Sequence, residues 1–265
     1  MTAWQAIVLG LVQGLTEFLP VSSSGHLVIV RQWLGVTEYL LTFDAMVHFG
    51  SLLAVVLYFR EELLQIVAGV VGLDRPGAAE GRRMFWLLVA ASLPVAAVGL
   101  LLRDAIEQAF SSVAVPAIML FVTGVLLIVA DRVAVARRGS RPGWRHAVAM
   151  GLGQALAVVP GLSRSGTTMS AGILAGLTRP AAARFAFLMS VPAILGATAL
   201  EMAQLLRAGP VEAEGVGILL LGTAVSAVSS YGAIALFLRY LQRRRLAPFA
   251  YYTWAVGALV LWLTL

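Results

Sequence analysis

Apolar residues gather along this chain in long blocks. Six are of a length to cross a bilayer: residues 42–59, 85–102, 113–131, 182–206, 216–238 and 249–265. A helix needs about 20 such residues to span a hydrocarbon core of ~30 Å. Two further apolar stretches, 1–34 and 145–178, are each broken in the middle by proline, glycine and serines, and the breaks repeat each other. GLVQGLTEFLPVSSSGH (Gly10–His26) aligns without a gap on GLGQALAVVPGLSRSGT (Gly151–Thr167), sharing Gly10/Gly151, Leu11/Leu152, Gln13/Gln154, Leu15/Leu156, Ser22/Ser163, Ser24/Ser165 and Gly25/Gly166. The pattern predicts an all-α polytopic membrane protein in two repeats, 1–131 and 145–265, joined by a linker at 132–144.

Composition agrees. Hydrophobic residues make up 60% of the chain and charged residues 12%, against roughly 25% charged in a soluble domain. With no cysteine, thiol and disulfide chemistry are excluded. The N-terminus has no basic region before its apolar run and carries Glu17 inside it, so it does not read as a cleaved signal peptide.

The net charge of +6 does not point to nucleic acid, because the position of the arginines explains it. All nineteen basic residues are Arg, and fifteen lie in or beside 60–83, 132–145, 179–184 and 239–245. The positive-inside rule puts these segments in the cytoplasm. The other connections, near 31–41, 103–112 and 207–215, hold three Arg against five acids and are assigned outside. The linker's arginines read as a topology determinant.

With those faces fixed, the six spans alternate only if each broken stretch returns to the face it entered from. Residues 1–34 then form a re-entrant helical hairpin from outside, 145–178 one from the cytoplasm, and the halves are inverted. Non-helical backbone at membrane depth is tolerated only where protein or a wet cavity satisfies it. Inverted repeats place binding sites at such breaks, with half-helix N-termini facing an anion. Serines stand where each second half-helix starts, ready to cap it, and two such termini brought together could hold a diphosphate.

The candidate chemistry lies at the same breaks. Glu17, one turn after Gln13 and on the same face, is a candidate metal ligand or general base. Arg164, between two serines, offers a planar fork of donors suited to phosphate, with a structural ion pair to Glu17 as the alternative. Ser163, Ser165, Thr167 and Thr168 add hydroxyls that bind phosphate or cap the helix. His26 is a candidate nucleophile or general acid; Ser23 competes as nucleophile, while Ser22 and Ser24 bind or cap. Asp44, Asp131 and Glu201, near span ends, read as solvated or paired, and His48 as a packing histidine. Tyr58, Trp86, Tyr240, Tyr251, Tyr252 and Trp254 read as interfacial anchors.

The strings VQGLTEFLPVSSSGH and VVPGLSRSGTT, with FDAMVHFGSLLAVV and RFAFLMSVPAILGATAL, resemble the undecaprenyl-diphosphate phosphatase family, the bacitracin-resistance proteins of bacterial membranes, over essentially the whole chain. The resemblance implies a hydrolase that removes the terminal phosphate of the C55 lipid carrier. It further implies a site on the outer, periplasmic face of the bacterial inner membrane and a divalent cation, Mg2+ or Ca2+. That activity recycles the carrier for cell-wall synthesis and gives bacitracin resistance. By position, the family's acidic motif falls on Gln13 and Glu17, its serine and histidine loop on Ser22, Ser23 and His26, and its arginine signature on Ser163, Arg164, Ser165 and Thr168. Gln13 departs from the glutamate that many members carry, which leaves Glu17 as the principal acidic ligand.

The attacking group stays open at this level: His26, Ser23 or a water activated by Glu17. A transporter or flippase of polyprenyl phosphate lipids is the rival function, since inverted repeats with broken helices are transporter architecture. A scaffold would leave Glu17 and Arg164 at depth unexplained. A homodimer is open to the chain, and the sequence does not decide it.

Overall fold

A computed structural model describes residues 1–36, 41–102, 114–134, 139–208 and 213–264. Eleven helices lie among them. The first broken stretch is α1 (Ala3–Thr16) and α2 (Ser23–Trp33). Three helices follow, α3 (Leu41–Tyr58), α4 (Arg60–Val71) and α5 (Ala78–Leu101), then α6 (Ala114–Val133). The second broken stretch is α7 (Trp144–Leu156) and α8 (Arg164–Leu174). The chain ends with α9 (Arg179–Ala208), α10 (Ala213–Leu241) and α11 (Ala247–Thr264). Among the described residues, the β-type pairing is a single isolated bridge, Gly139 with Leu177.

Each expected span has its helix. α5, α6, α9 and α10 are long and apolar enough to cross a membrane, while the apolar run of α11 is shorter. α3 is bent by 80° from α4. This second helix lies in a segment expected only as a connection. Its sequence explains it: Glu61 and Glu62 open the first turn and Gly72 closes the helix with φ 75°, complementing the dipole at one end and taking the left-handed position at the other. The connections 103–112 and 207–215 fall mostly outside the described residues.

Small residues set the helix packing, as expected where lipid and side chains are equally apolar and close approach supplies the attraction. On α1, a Cβ at Gly10 would stand 2.7 Å from the Gly222 carbonyl oxygen, and one at Gly14 2.0 Å from Ser229 Oγ and 2.6 Å from the Ser226 oxygen. The order of these contacts makes α1 parallel to α10. α7 likewise runs parallel to α5, with Gly151 against Ala91 and Arg83 Nη2 donating to the Pro142 carbonyl at 2.6 Å. α3 packs on α10 and α9, α9 also on α5, and α6 on α11. An exchange of the two halves generates each of these pairings.

The four arginine-rich segments meet at one end of the molecule. Arg184 pairs with Glu62, and Arg83 reaches the linker. Asp131, 7% exposed, accepts from Arg179 Nε at 2.7 Å and from the Ala247 amide at 2.8 Å, pinning α6, α9 and α11 together. The linker itself is stitched to the end of the second hairpin, Gly139 N–H to the Gly176 carbonyl and Thr178 N–H to the Gly139 carbonyl, both at 3.1 Å.

α10 ends and α5 begins at the arginine-rich end, so α1 runs toward that end and α7 away from it. The two hairpins therefore enter from opposite ends. The first is closed at its base by Gln5 Nε2 on the Leu34 carbonyl, 3.0 Å; at the base of the second, Gly176 faces the His146 ring. The tips meet in the interior, where Ser165 Oγ donates to the Leu19 carbonyl at 2.8 Å and Gly166 lies against Pro20.

Candidate active site

Each tip is built by a break that its own sequence dictates. In the second hairpin, Gly161 takes φ 86° and Ser163 caps α8 through Oγ on the Gly166 amide, 3.1 Å. In the first, Ser22 itself holds φ 69° and caps α2 through Oγ on the Gly25 amide, 3.4 Å. The first-turn amides of both helices have no intrahelical acceptor, and they converge because the tips do.

Glu17 sits between the tips, 7% exposed. Arg164 Nη2 donates to its Oε1 at 2.5 Å, Ser23 Oγ to its Oε2 at 2.6 Å and Gln13 Nε2 to its Oε2 at 3.0 Å. The carboxylate thus holds a cation from one hairpin and a hydroxyl from the other. Arg164 spends one arm on Glu17; its Nη1 is buried and has no hydrogen-bond partner among the described residues.

Two cavities open on this group. One, of about 170 Å³, lies between the tips and is lined by Glu17, Ser22, Ser23, Ser24, His48, Ser163, Arg164 and Ser165, with Pro160 and its neighbours. The other, of about 300 Å³, shares Glu17, Ser24, His48 and Arg164 and extends past Leu27, Val28, Ala193 and Ile194 to Arg31 and Asp44, which form an ion pair.

Four expected residues stand apart from both cavities; of these, Thr167 Oγ1 is buried without a hydrogen-bond partner among the described residues. Gln13 reaches the site through Glu17. Thr168 Oγ1 is spent inside α8, on the Arg164 carbonyl at 2.8 Å. His26 is engaged at both ring nitrogens, Nδ1 with the Ser22 carbonyl and Nε2 with Tyr252 Oη, each at 2.7 Å.

Other residues take up places the sequence did not suggest. His48, read as packing, lines both cavities with Nε2 3.7 Å from Glu17 Oε2; Asp44, His48 and Ser51 recur at helical spacing on α3, a stripe that could have revealed them. Beneath Gln13 lies a buried ladder of hydroxyls, Ser51 Oγ with Ser226 Oγ at 3.1 Å and Ser230 Oγ on Ser51 Oγ at 3.0 Å. Tyr252 and Trp254, read as anchors, also make hydrogen bonds within the bundle: Tyr252, 45% exposed, reaches His26 through its hydroxyl, and Trp254 Nε1 donates to the Phe121 carbonyl at 3.0 Å. The side chain of Glu201 lies outside the described residues.

A bundle whose opposed re-entrant hairpins bring an arginine, a serine and a carboxylate together at a cavity is a polytopic membrane protein with a polar site between its hairpin tips. The family description "Bacitracin resistance protein BacA" matches residues 6–259, and the chain belongs to that family. It is 46% identical to a protein of Gemmatimonas aurantiaca over 98% of this chain and 97% of the other. A protein of Rubrobacter xylanophilus is 44% identical over 97% and 96%, and one of Methanobrevibacter smithii 40% identical over 97% and 95%. All three are named undecaprenyl-diphosphatase.

Proposed function

We propose that this protein hydrolyses undecaprenyl diphosphate to undecaprenyl phosphate and inorganic phosphate. The names of its relatives and one geometric observation support the reading. Arg164 carries a buried Nη1 without a hydrogen-bond partner among the described residues, in the same group as a serine hydroxyl already donating to a carboxylate, 2.6 Å from Ser23 Oγ to Glu17 Oε2. That arrangement is an anion hook next to a nucleophile with its base.

The terminal phosphate docks between the hairpin tips, where Arg164 and the first-turn amides of α2 and α8 offset its charge. Ser23 Oγ attacks the terminal phosphorus and gives its proton to Glu17. The bond from phosphorus to the bridging oxygen breaks, and undecaprenyl phosphate leaves with that oxygen and with the proton, which Glu17 returns to it and so becomes a carboxylate again. Water then attacks the phosphoserine, giving one proton to Glu17, and inorganic phosphate departs as Ser23 recovers its proton. Positioning and charge neutralisation carry most of such a transfer. Ser23 is preferred to His26 because it is Ser23 that Glu17 holds.

Gln13 Oε1 is buried without a hydrogen-bond partner among the described residues, next to the Glu17 carboxylate. Both are hard oxygen donors that fit Mg2+ or Ca2+, so Gln13 and Glu17 are the residues that would hold a divalent ion. Such an ion supplies further neutralisation of phosphate charge. Among the described residues no group of three or more His, Asp and Glu is gathered for a metal, and the rest of its shell would come from phosphate and water.

The larger cavity, walled by Leu27, Val28 and Ile194, leads the first isoprene units toward the lipid. The positive-inside rule favours a cytoplasmic arginine-rich end; with it we assign the protein to the bacterial inner membrane, this cavity opening to the periplasmic side. Glu17, Ser23 and Arg164 come from one chain, so the site needs no second copy.

Purified protein in detergent, without a gradient or second compartment, will release phosphate from C55 diphosphate. Lipid binding with no release at any divalent-ion concentration would overturn the hydrolase in favour of a carrier.

A further inference from the structure

Ser22 is, among the described residues, the one non-glycine residue with a positive φ, 69° with ψ 94°. In the second hairpin the same kind of bend falls on Gly161, and Ser163 relaxes to φ −62°. A side chain at positive φ persists only where its surroundings hold it. Here four hydrogen bonds do so: two at Ser22 Oγ, with the Gly25 amide at 3.4 Å and Ser24 Oγ at 3.3 Å, and two from His26.

The Ser22 carbonyl accepts the His26 amide at 3.3 Å and His26 Nδ1 at 2.7 Å. A carbonyl can only accept, so Nδ1 carries the proton. Nε2 is then the acceptor in the neutral ring, and Tyr252 Oη, 2.7 Å away, is its donor. The two rings lie nearly parallel, 7° apart with centroids separated by 5.5 Å. No nitrogen lone pair of this imidazole is left to face phosphorus, and the ring lines neither cavity.

We infer that His26 and Tyr252 are positioning residues, a relay from α11 that locks the strained Ser22 peptide and so places Ser23 Oγ on Glu17. Ser23 follows Ser22 directly, so a peptide flip at Ser22 swings its Cβ out of line with the carboxylate. Tyr252 belongs to a helix packed against α6, which ties the first hairpin's tip to the second half of the chain. The inference rests on the proposal that Ser23 reacts, and it replaces the expected chemical role of His26 with a mechanical one.

Two measurements test it, one independent of turnover. The 15N spectrum of His26 in the purified protein will show a protonated Nδ1 and an accepting Nε2, and Tyr252→Phe will shift the Nε2 resonance. An Nε2-protonated neutral tautomer would overturn the relay. In turnover, His26→Ala will cost about 10²-fold in kcat, the scale of a misplaced reacting group, with KM for the lipid nearly unchanged. His26→Asn, whose amide can still donate to the Ser22 carbonyl, will regain about tenfold of that. Tyr252→Phe will slow the wild type but add almost nothing to His26→Asn, since the acceptor it serves is gone. An Asn variant as slow as the Ala variant, beside Tyr252→Phe at the wild-type rate, would make His26 a reacting group and end the inference. A wild-type protein that releases no phosphate would defeat the hydrolase reading instead, and the nitrogen spectrum would still decide the relay.

Discussion

Arg164 Nη2 lies 2.5 Å from Glu17 Oε1 across 147 residues of sequence, one residue from each hairpin tip. The pair does not spend the arginine, because a guanidinium has two terminal nitrogens and the carboxylate takes only one. An intramembrane charge is tolerated when it is paired, and here the pairing leaves Nη1 buried without a hydrogen-bond partner among the described residues.

Arg164→Lys keeps the charge and loses the fork, so turnover will fall by about 10²-fold, the loss typical of one preorganised donor. Glu17→Gln and Arg164→Ala will fall further, and their losses will not add, because each removes the other's partner. Melting curves in detergent separate these effects from misfolding. A rate within a few fold of wild type in any of the three would refute the site.

Gly14 tests the α1 to α10 contact by the sign of an alanine substitution. Alanine in place of a helical glycine ordinarily gains up to about 1 kcal/mol. Gly232, with open space around its Cβ direction, will behave so. At Gly14 the new carbon meets the Ser226 carbonyl at 2.6 Å and the Ser230 nitrogen at 2.9 Å, backbone atoms that cannot turn aside, and a loss of about 1–3 kcal/mol is expected. Equal shifts in melting temperature for the two variants would contradict the contact.

Asp131 separates stability from catalysis. Asp131→Ala strands Arg179 and the Ala247 amide at the arginine-rich end, far from the tips, and will cost about 3 kcal/mol. The folded fraction should keep the wild-type KM. A changed KM with an unchanged melting temperature would mean that this end communicates with the site.

Topology can be read chemically, because the chain has no cysteine. An impermeant thiol reagent will label Gly139→Cys only from the cytoplasmic side and Trp33→Cys, at the base of the first hairpin, only from outside. Labelling of both from one side would abolish the opposed hairpins.

Much of the architecture was legible because membrane folding leaves a one-dimensional record. A span must be long and apolar, cations collect on one face, and a break at depth needs polar residues to satisfy it. Glu17, Ser23 and Arg164 could be found because each is costly or out of place in an apolar run. α4 was missed because its apolar positions are mixed with charges in a segment already explained by its arginines. His48 was misread because one histidine on an apolar helix is most often packing, and only the neighbouring α1 shows that it faces Glu17.

The sequence by itself determined which segments are long and apolar enough to cross, which are broken, and which side chains are too polar to be idle there. Those properties depend on local length, hydropathy and charge. The tertiary structure decided which of those side chains touch. Whether Arg164 meets Glu17, whether Ser23 or His26 holds the carboxylate, and that Tyr252 reaches His26 all depend on contacts between residues distant in the chain. Such contacts are set by the approach of helices over small residues, and no local pattern encodes the angle at which two hairpins meet.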